Sequence, residues 1–519
     1  MKTIQFLSAI ILASLIIYSC TKSADDITQS GDSAWTSELV NKNQIIEEPQ
    51  GEPYSKARVD EIVKETTIRN NDFNWDMVDF KVRWSAIQYG DNSVAIGYKP
   101  AGAGDISDII HKLNLKNGVW KDVHDNLIKY VIDELELSSG QRFAEEDLII
   151  EDDTKLPIIT FKLTDKSVIT KLQNLENVRY VEPLDYWHGE MDDRSTSGCS
   201  ASTYAINTAD YTATSPTSLL PWNFNNVNIP ISWGTAQGQG ITIGVIDAGI
   251  SSSQTLLGSN FNNGDSNVGR TITTDYTWGS SAYTSCTHGT SMCGLAAGPR
   301  NNMSATSGVA YKASLHFIRG CEDVMLDKSS ERTGVKNALV KMGDKPEVKV
   351  ISMSIGTPFS SSVLEDGVNY AYNKGKMMMA AAGTSFSWTS WWGVVYPAAL
   401  SKCVAITGVK ENFSTCVACH DGSQVDFTIT MERNNNDSRN TLSLPASGVA
   451  PKYIGGSSAA TAIAAGIAAN VWSINPNYTR EQVYNFLLTT SQYYPNPSSS
   501  RGYGNLNAGA AVAAASNPI

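Results

Sequence analysis

The sequence predicts an α/β protein, a doubly wound parallel sheet with helices on both faces, preceded by a smaller α+β unit. Three observations lead there. Apolar runs at 241–246, 313–318, 348–353, 377–382 and 403–407 alternate with helical stretches, and strands covered on both faces read as continuous apolar runs. The charges divide the chain unevenly. Of 40 Lys+Arg and 52 Asp+Glu, residues 1–218 carry 21 and 35 and the remainder 19 and 17, so the acidity belongs to the front portion. Between the two portions, residues 189–218 hold twelve Ser or Thr and almost no apolar periodicity, which marks a connector. A chain of 519 residues with 41% apolar residues and net charge −12 is globular, forms two or three domains and is not a nucleic-acid binder of the basic kind.

In chain order, Lys2 precedes a fourteen-residue apolar stretch, 4–17, too short for a hydrocarbon core of about 30 Å. It reads as a signal peptide over 1–19. Its end, Ile17-Tyr18-Ser19-Cys20, resembles a bacterial lipobox, which implies a lipid on Cys20, membrane attachment through that lipid and an address in the cell envelope or on the cell surface. Residues 20–55 are a polar tether. The α+β unit spans 56–188. Its clearest part is an apolar run at 157–163, an amphipathic helix over 165–175 with Val168, Ile169, Leu172 and Leu175 on one face, and a strand at 178–181. After the connector, the second domain occupies 219–519. A helix near its end carries Thr479 and Gln482 as a capping box, followed by Val483, Phe486 and Leu487 on one face.

Three segments of the second domain carry chemistry-bearing residues. Ile241-Thr242-Ile243-Gly244-Val245-Ile246-Asp247-Ala248-Gly249 is a buried strand ending in an acid, and a buried carboxylate requires a partner. His288-Gly289-Thr290 opens a helix of small residues, and Gly455-Gly456-Ser457-Ser458-Ala459-Ala460 opens an Ala-rich one. Singly, such a serine is a helix cap and such a histidine a satisfied polar group. Together, in the order Asp, His, Ser, they resemble the three motifs of the subtilisin-like serine proteases. The resemblance runs from Leu219 to Ala515. Ser352-Met353-Ser354-Ile355-Gly356 is similar to that family's substrate-binding strand, Ala380-Ala381-Ala382-Gly383 to the opposite pocket wall, and Tyr396-Pro397-Ala398 to the segment after the pocket loop.

The resemblance implies a serine endopeptidase acting on proteins or peptides through an acyl-enzyme, with Ser458 as nucleophile, His288 as general base and Asp247 orienting the imidazole. The pattern Gly-x-Ser-x-Ala places the nucleophile at Ser458 rather than Ser457. Ser354, Ile355, Gly356, Ala381, Ala382 and Gly383 would bind substrate, and the Ser458 N–H with Thr384 would form the oxyanion hole. Thr384 stands where the family has an asparagine, and Ala248 where it has Ser or Thr. A catalytically weak member binding peptides at the surface is the alternative that Thr384 suggests. The segment Asn174-Leu175-Glu176-Asn177-Val178-Arg179-Tyr180-Val181-Glu182-Pro183 is similar to the end of the family's inhibitory prodomain, which makes the front unit a partner of the catalytic domain until cleavage between about His188 and Leu220.

No cofactor is required by this chemistry; the resemblance leaves calcium open, since calcium sites are common in that family, but none is legible in the sequence. Cys416-Val417-Ala418-Cys419-His420 matches the short haem c attachment pattern, with a disulfide or zinc role as the alternatives. Removing Cys20 and Cys199 with the front portion leaves six cysteines, among which the family alignment suggests Cys286 with Cys321. The loop 384–395, with Trp388, Trp391 and Trp392, sets the depth of the pocket.

Overall fold

The computed structural model describes residues 35–70, 72–189, 199, 204–384 and 393–518. The apolar segment at 4–17, Cys20, residues 190–198 and 200–203 of the connector, and Ser385 with the three pocket-loop tryptophans lie outside them. Among the described residues no helix is long and apolar enough to cross a membrane.

The N-terminal unit contains α1 (Lys56–Asn70), α2 (Phe80–Tyr89), β1 (Ser93–Tyr98), α3 (Gly118–Ser139), β2 (Ile149–Asp152), β3 (Ile158–Lys162), α4 (Lys166–Gln173) and β4 (Val178–Pro183). Its four strands pair antiparallel in the order β2-β3-β1-β4. Trp120, Val123, Leu127, Val131 and Leu135 recur at three- and four-residue spacing along α3 and are buried against the sheet. Asp165 caps α4 by accepting from the N–H groups of Ser167 and Val168 at 2.8 and 3.2 Å.

The second domain begins earlier than its apolar runs suggest. Residues 207–218, expected as the end of an exposed connector, already belong to this domain: they form β5 (Tyr211–Thr214) and begin β6 (Ser218–Pro221), which pairs with it. The tie is polar, which is why hydrophobic patterning does not reveal it. Asp210, fully buried, accepts from Arg433, Arg439 and Tyr453, and Ser218 Oγ accepts from the Asn301 N–H at 3.1 Å.

The elements that follow are β7 (Thr242–Asp247), β8 (Ile272–Tyr276), α5 (His288–Ala297), β9 (Ser314–Arg319), α6 (Ser329–Gly343), β10 (Val348–Met353), α7 (Ser362–Asn373), β11 (Met377–Ala381), β12 (Val404–Lys410), β13 (Phe427–Glu432), β14 (Thr441–Ser443), β15 (Lys452–Ile454), α8 (Gly456–Ser473), α9 (Arg480–Thr489) and α10 (Ala508–Ser516). Seven strands form one parallel sheet in the order β13-β12-β11-β10-β7-β9-β8. The five apolar runs are its interior strands. The outer two, β8 and β13, carry threonines and acids between their apolar residues and were not legible as strands. Alternation along β11 shows how both faces are covered. Met377 and Met379 pack in the cluster containing α5 and α8, and Met378 and Ala380 in the cluster containing α6 and α7. The α/β class read from the sequence is the fold observed.

The N-terminal unit docks on α6 and α7. One face of its sheet contributes Ala95 and Ile158 to a cluster with Val340, Val363 and Tyr370. The Lys336 ammonium, fully buried on α6, lies 3.2 Å from Glu151 and also bonds Asp153. Arg179 donates to Asp366 at 2.9 Å, and the Tyr180 hydroxyl donates to the same carboxylate at 3.0 Å. Two carboxylates of the unit cap helices of the other domain: Asp185 accepts from the Ser329 N–H that begins α6, and Glu182 from the Ser362 N–H that begins α7.

Burial raises the Glu182 carboxyl above its ordinary value of 4.5, against hydrogen bonds from Ser361 and Ser362 that pull it down. A raised folded value means that the stabilisation is complete below the unfolded pKa and is lost as pH rises through the folded one. In a full-length chain carrying Ser458→Ala, the parent is therefore expected to lose stability relative to Glu182→Gln as pH rises from the ordinary carboxyl value of 4.5 upward through the raised one. Urea midpoints across that window check it, and a constant gap would refute it.

Candidate active site

Strand order reverses between β7 and β10, and the carboxyl ends of the strands beside that point are where a parallel sheet opens a crevice. Asp247 is the last residue of β7, Ser354 follows β10, and Gly383 and Thr384 follow β11. His288 starts α5. β15, paired antiparallel with β14, leads through Gly455 into α8, of which Ser458 is the third residue.

His288 Nδ1 lies 2.9 and 3.0 Å from the two carboxylate oxygens of Asp247. Asp247 is fully buried and also accepts from the Ala248 N–H at 2.8 Å. Because Nδ1 faces a carboxylate, it carries the proton, which leaves Nε2 as the basic nitrogen of the neutral ring. His288, Ser458, Ser354, Ile355, Gly356, Ala381, Gly383 and Thr384 line one cavity of about 190 Å³, and Asp247 lies behind His288.

The serine is not poised on the histidine. The Ser458 hydroxyl donates to the Ser354 carbonyl at 3.3 Å, while the Ser354 hydroxyl donates to the Ser458 carbonyl at 2.8 Å. Ser457 also borders the cavity but is only 1% exposed. Its hydroxyl accepts from the Gly383 N–H at 3.1 Å and lies 3.2 Å from the Thr384 hydroxyl. Two glycines permit this approach: Gly383 has φ +124°, and a Cβ on Gly456, at φ +74°, would sit 2.8 Å from Thr384 Oγ1.

Two of the expected substrate-binding positions differ from expectation. Ala382 does not border the cavity. Side chains alternate along the extended chain, so with Ala381 facing the cavity its neighbour packs into the apolar cluster behind. Gly356 does border it, but its N–H donates to Val324 and its carbonyl accepts from the Leu326 N–H, both at 2.9 Å. The backbone groups that a peptide strand would use at Gly356 are occupied. Met325, between those two partners, packs with Phe73, Trp75 and Tyr186 of the N-terminal unit.

The cysteines correct a second expectation. Cys286 pairs with Cys199 of the connector, and Cys321 is free and fully buried. Cys416 and Cys419 form a disulfide, so their sulfurs are not available as thioether attachments for a haem. Sequence reasoning also missed His420, which borders the cavity. The short haem pattern drew attention to it for another reason.

A family model for the subtilases matches residues 238–505, just over half of the chain, and takes in Asp247, His288 and Ser458. The chain belongs to the subtilase family. Among curated relatives of this subtilase, thermitase of Thermoactinomyces vulgaris is 32% identical over 202 residues, 38% of this chain and 66% of the relative. A subtilisin of Bacillus sp. strain TA39 is 29% identical over 299 residues, 53% of this chain and 66% of the relative. Subtilisin Savinase of Lederbergia lenta is 29% identical over 274 residues, 52% of this chain and 91% of the relative. The subtilase thus spans just under two thirds of the first two.

Proposed function

We propose that this subtilase is the precursor of a serine endopeptidase that hydrolyses peptide bonds of proteins or peptides through an acyl-enzyme. The observation that carries the reading is the bond from His288 Nδ1 to buried Asp247, in a cavity that also holds Ser458 at the start of α8. A rotation about the Ser458 side chain exchanges the Ser354 carbonyl for His288 Nε2. The hydroxyl then attacks the scissile carbonyl while its proton passes to Nε2, and Asp247 stabilises the imidazolium. The same proton is delivered to the leaving amine, and water repeats the sequence to release the acyl group. The oxyanion forms beside the Ser458 N–H at the positive end of the α8 dipole.

Thr384 completes that hole through a relay. The Gly383 N–H donates to Ser457 Oγ, and with Ser457 as the donor in its 3.2 Å contact to Thr384 Oγ1, Thr384 keeps its own proton for the oxyanion. Loss of a side-chain donor of this kind costs on the order of 10²–10³ in kcat, because the bond is made mainly in the transition state. Thr384→Val is expected to lower kcat by about 10² with KM little changed, and an unchanged kcat would place the donor elsewhere.

The N-terminal unit is the inhibitory partner, released by cleavage between Gly189 and Cys199. Cutting beyond Cys199 would leave it held to the catalytic domain by the disulfide to Cys286. Cys20 carries the lipid that anchors the precursor in the cell envelope. The test of the central reading is labelling with a fluorophosphonate followed by peptide mapping. Ser458 is the expected adduct, and modification of Ser457 would falsify the assignment.

A further inference from the structure

His420 stands where the cavity meets the wall formed by Ala381 and Gly383, and it is 5% exposed. Its position is over-determined. Its N–H donates to the Gly383 carbonyl at 3.0 Å, its carbonyl accepts from the Thr407 hydroxyl, and the Cys416–Cys419 disulfide closes the loop just before it. The ring packs so closely on Gly383 that a Cβ there would lie 2.5 Å from Nδ1. Nδ1 itself is 2.8 Å from the Gly393 carbonyl oxygen. A carbonyl only accepts, so Nδ1 holds the proton and donates, and Nε2 of the neutral ring is an acceptor. Burial keeps the ring neutral by lowering its pKa below the ordinary value. Nε2 is buried and has no hydrogen-bond partner among the described residues.

A buried acceptor without a partner is uncommon, and one beside a substrate cleft points to a ligand donor. The surroundings define that donor. Besides His288 and His420, no residue lining the cavity among those described is acidic or basic; Ile355, Ala381 and Val395 supply an apolar lining. A lysine or arginine would enter without a counter-ion, a carboxylate would bring its lone pairs against that of Nε2, and an alkyl or thioether chain would leave Nε2 unpaired.

Resting on the endopeptidase reading above, we propose that His420 is a specificity-determining residue whose Nε2 accepts a hydrogen bond from an uncharged amide on an apolar stem, the side chain of glutamine, at the substrate position that precedes the scissile bond.

The experiment compares kcat/KM of the processed enzyme on three peptides that differ only at that position: glutamine, methionine of similar length without a donor, and glutamate of the same shape with acceptors only. Glutamine is expected to exceed each of the others at least tenfold. His420→Phe should bring the glutamine-to-methionine ratio to about one, as one neutral hydrogen bond accounts for about a tenfold preference. Methionine equal to or ahead of glutamine in the parent enzyme overturns the proposal, with or without a folded variant, and so does an unchanged ratio in His420→Phe. Hydrolysis of none of the three peptides by correctly processed protein would overturn the endopeptidase reading and this one with it. Cleavage without the glutamine preference removes only this one.

Discussion

Ser458→Ala is expected to reduce kcat by on the order of 10⁶, the scale found when the nucleophile of a subtilisin is removed. The change deletes the attacking oxygen and the hydrogen bond to the Ser354 carbonyl at 3.3 Å, a long contact whose loss costs little stability. Asp247→Asn should reduce kcat by about 10⁴ with the domain equally folded, because an amide fixes the wrong tautomer of His288 and cannot balance the imidazolium. Rates that remain come from the Ser458-position N–H and from binding. Steady-state assays on preparations free of other proteases measure both. Hydrolysis within a hundredfold of the parent in Ser458→Ala would sink the assignment of the nucleophile.

Lys336→Met is expected to undo the docking of the N-terminal unit. The Lys336 ammonium is fully buried, and its partners Glu151 and Asp153 both belong to the other unit. Removing one side of a buried ion pair leaves uncompensated charge and costs about 3–5 kcal/mol. Asp153, whose side chain is only 7% exposed, bears most of that cost. Adding Glu151→Gln and Asp153→Asn to Lys336→Met removes the stranded charges and is expected to recover most of the loss, since an apolar replacement of the whole cluster need not be destabilising. Urea unfolding of full-length protein carrying Ser458→Ala measures the parent and both variants. Equal loss in the triple variant would show that Lys336 acts through packing alone.

Much of this arrangement can be read along the chain, and the parts that cannot share a cause. Interior strands such as β10 and β11 announce themselves because both of their faces are covered. β8, with Thr273, Thr274 and Asp275, lies at the sheet edge and carries no such signature. Asp247, His288 and Ser458 are each embedded in a local motif, so proximity could be anticipated from three short segments. Contacts between distant residues leave no local mark. Asp210 meets Arg433 and Arg439 more than two hundred residues away, and Cys199 meets Cys286 although the family alignment suggests Cys321 as the partner. The rotamer of Ser458, the pairing of Gly356 with Val324 and Leu326, and the open acceptor of His420 are decided by packing of a few ångströms. A sequence pattern does not contain that distance.

On the proposed reading of the N-terminal unit as an inhibitory partner released by cleavage, the two caps that Asp185 and Glu182 place on α6 and α7 bear on the lifetime of the released domain as well as on its inhibition. Those helices begin with N–H groups answered by carboxylates from outside their own domain, so the docked unit helps hold them in place while seven parallel strands, all of them non-local pairings, are still being assembled. After cleavage that template is gone. A catalytic domain that then unfolds must rebuild the same sheet without it, and refolding is expected to be far slower than digestion by neighbouring copies. Persistence of the released enzyme is therefore set by the height of its unfolding barrier, a rate and not an equilibrium.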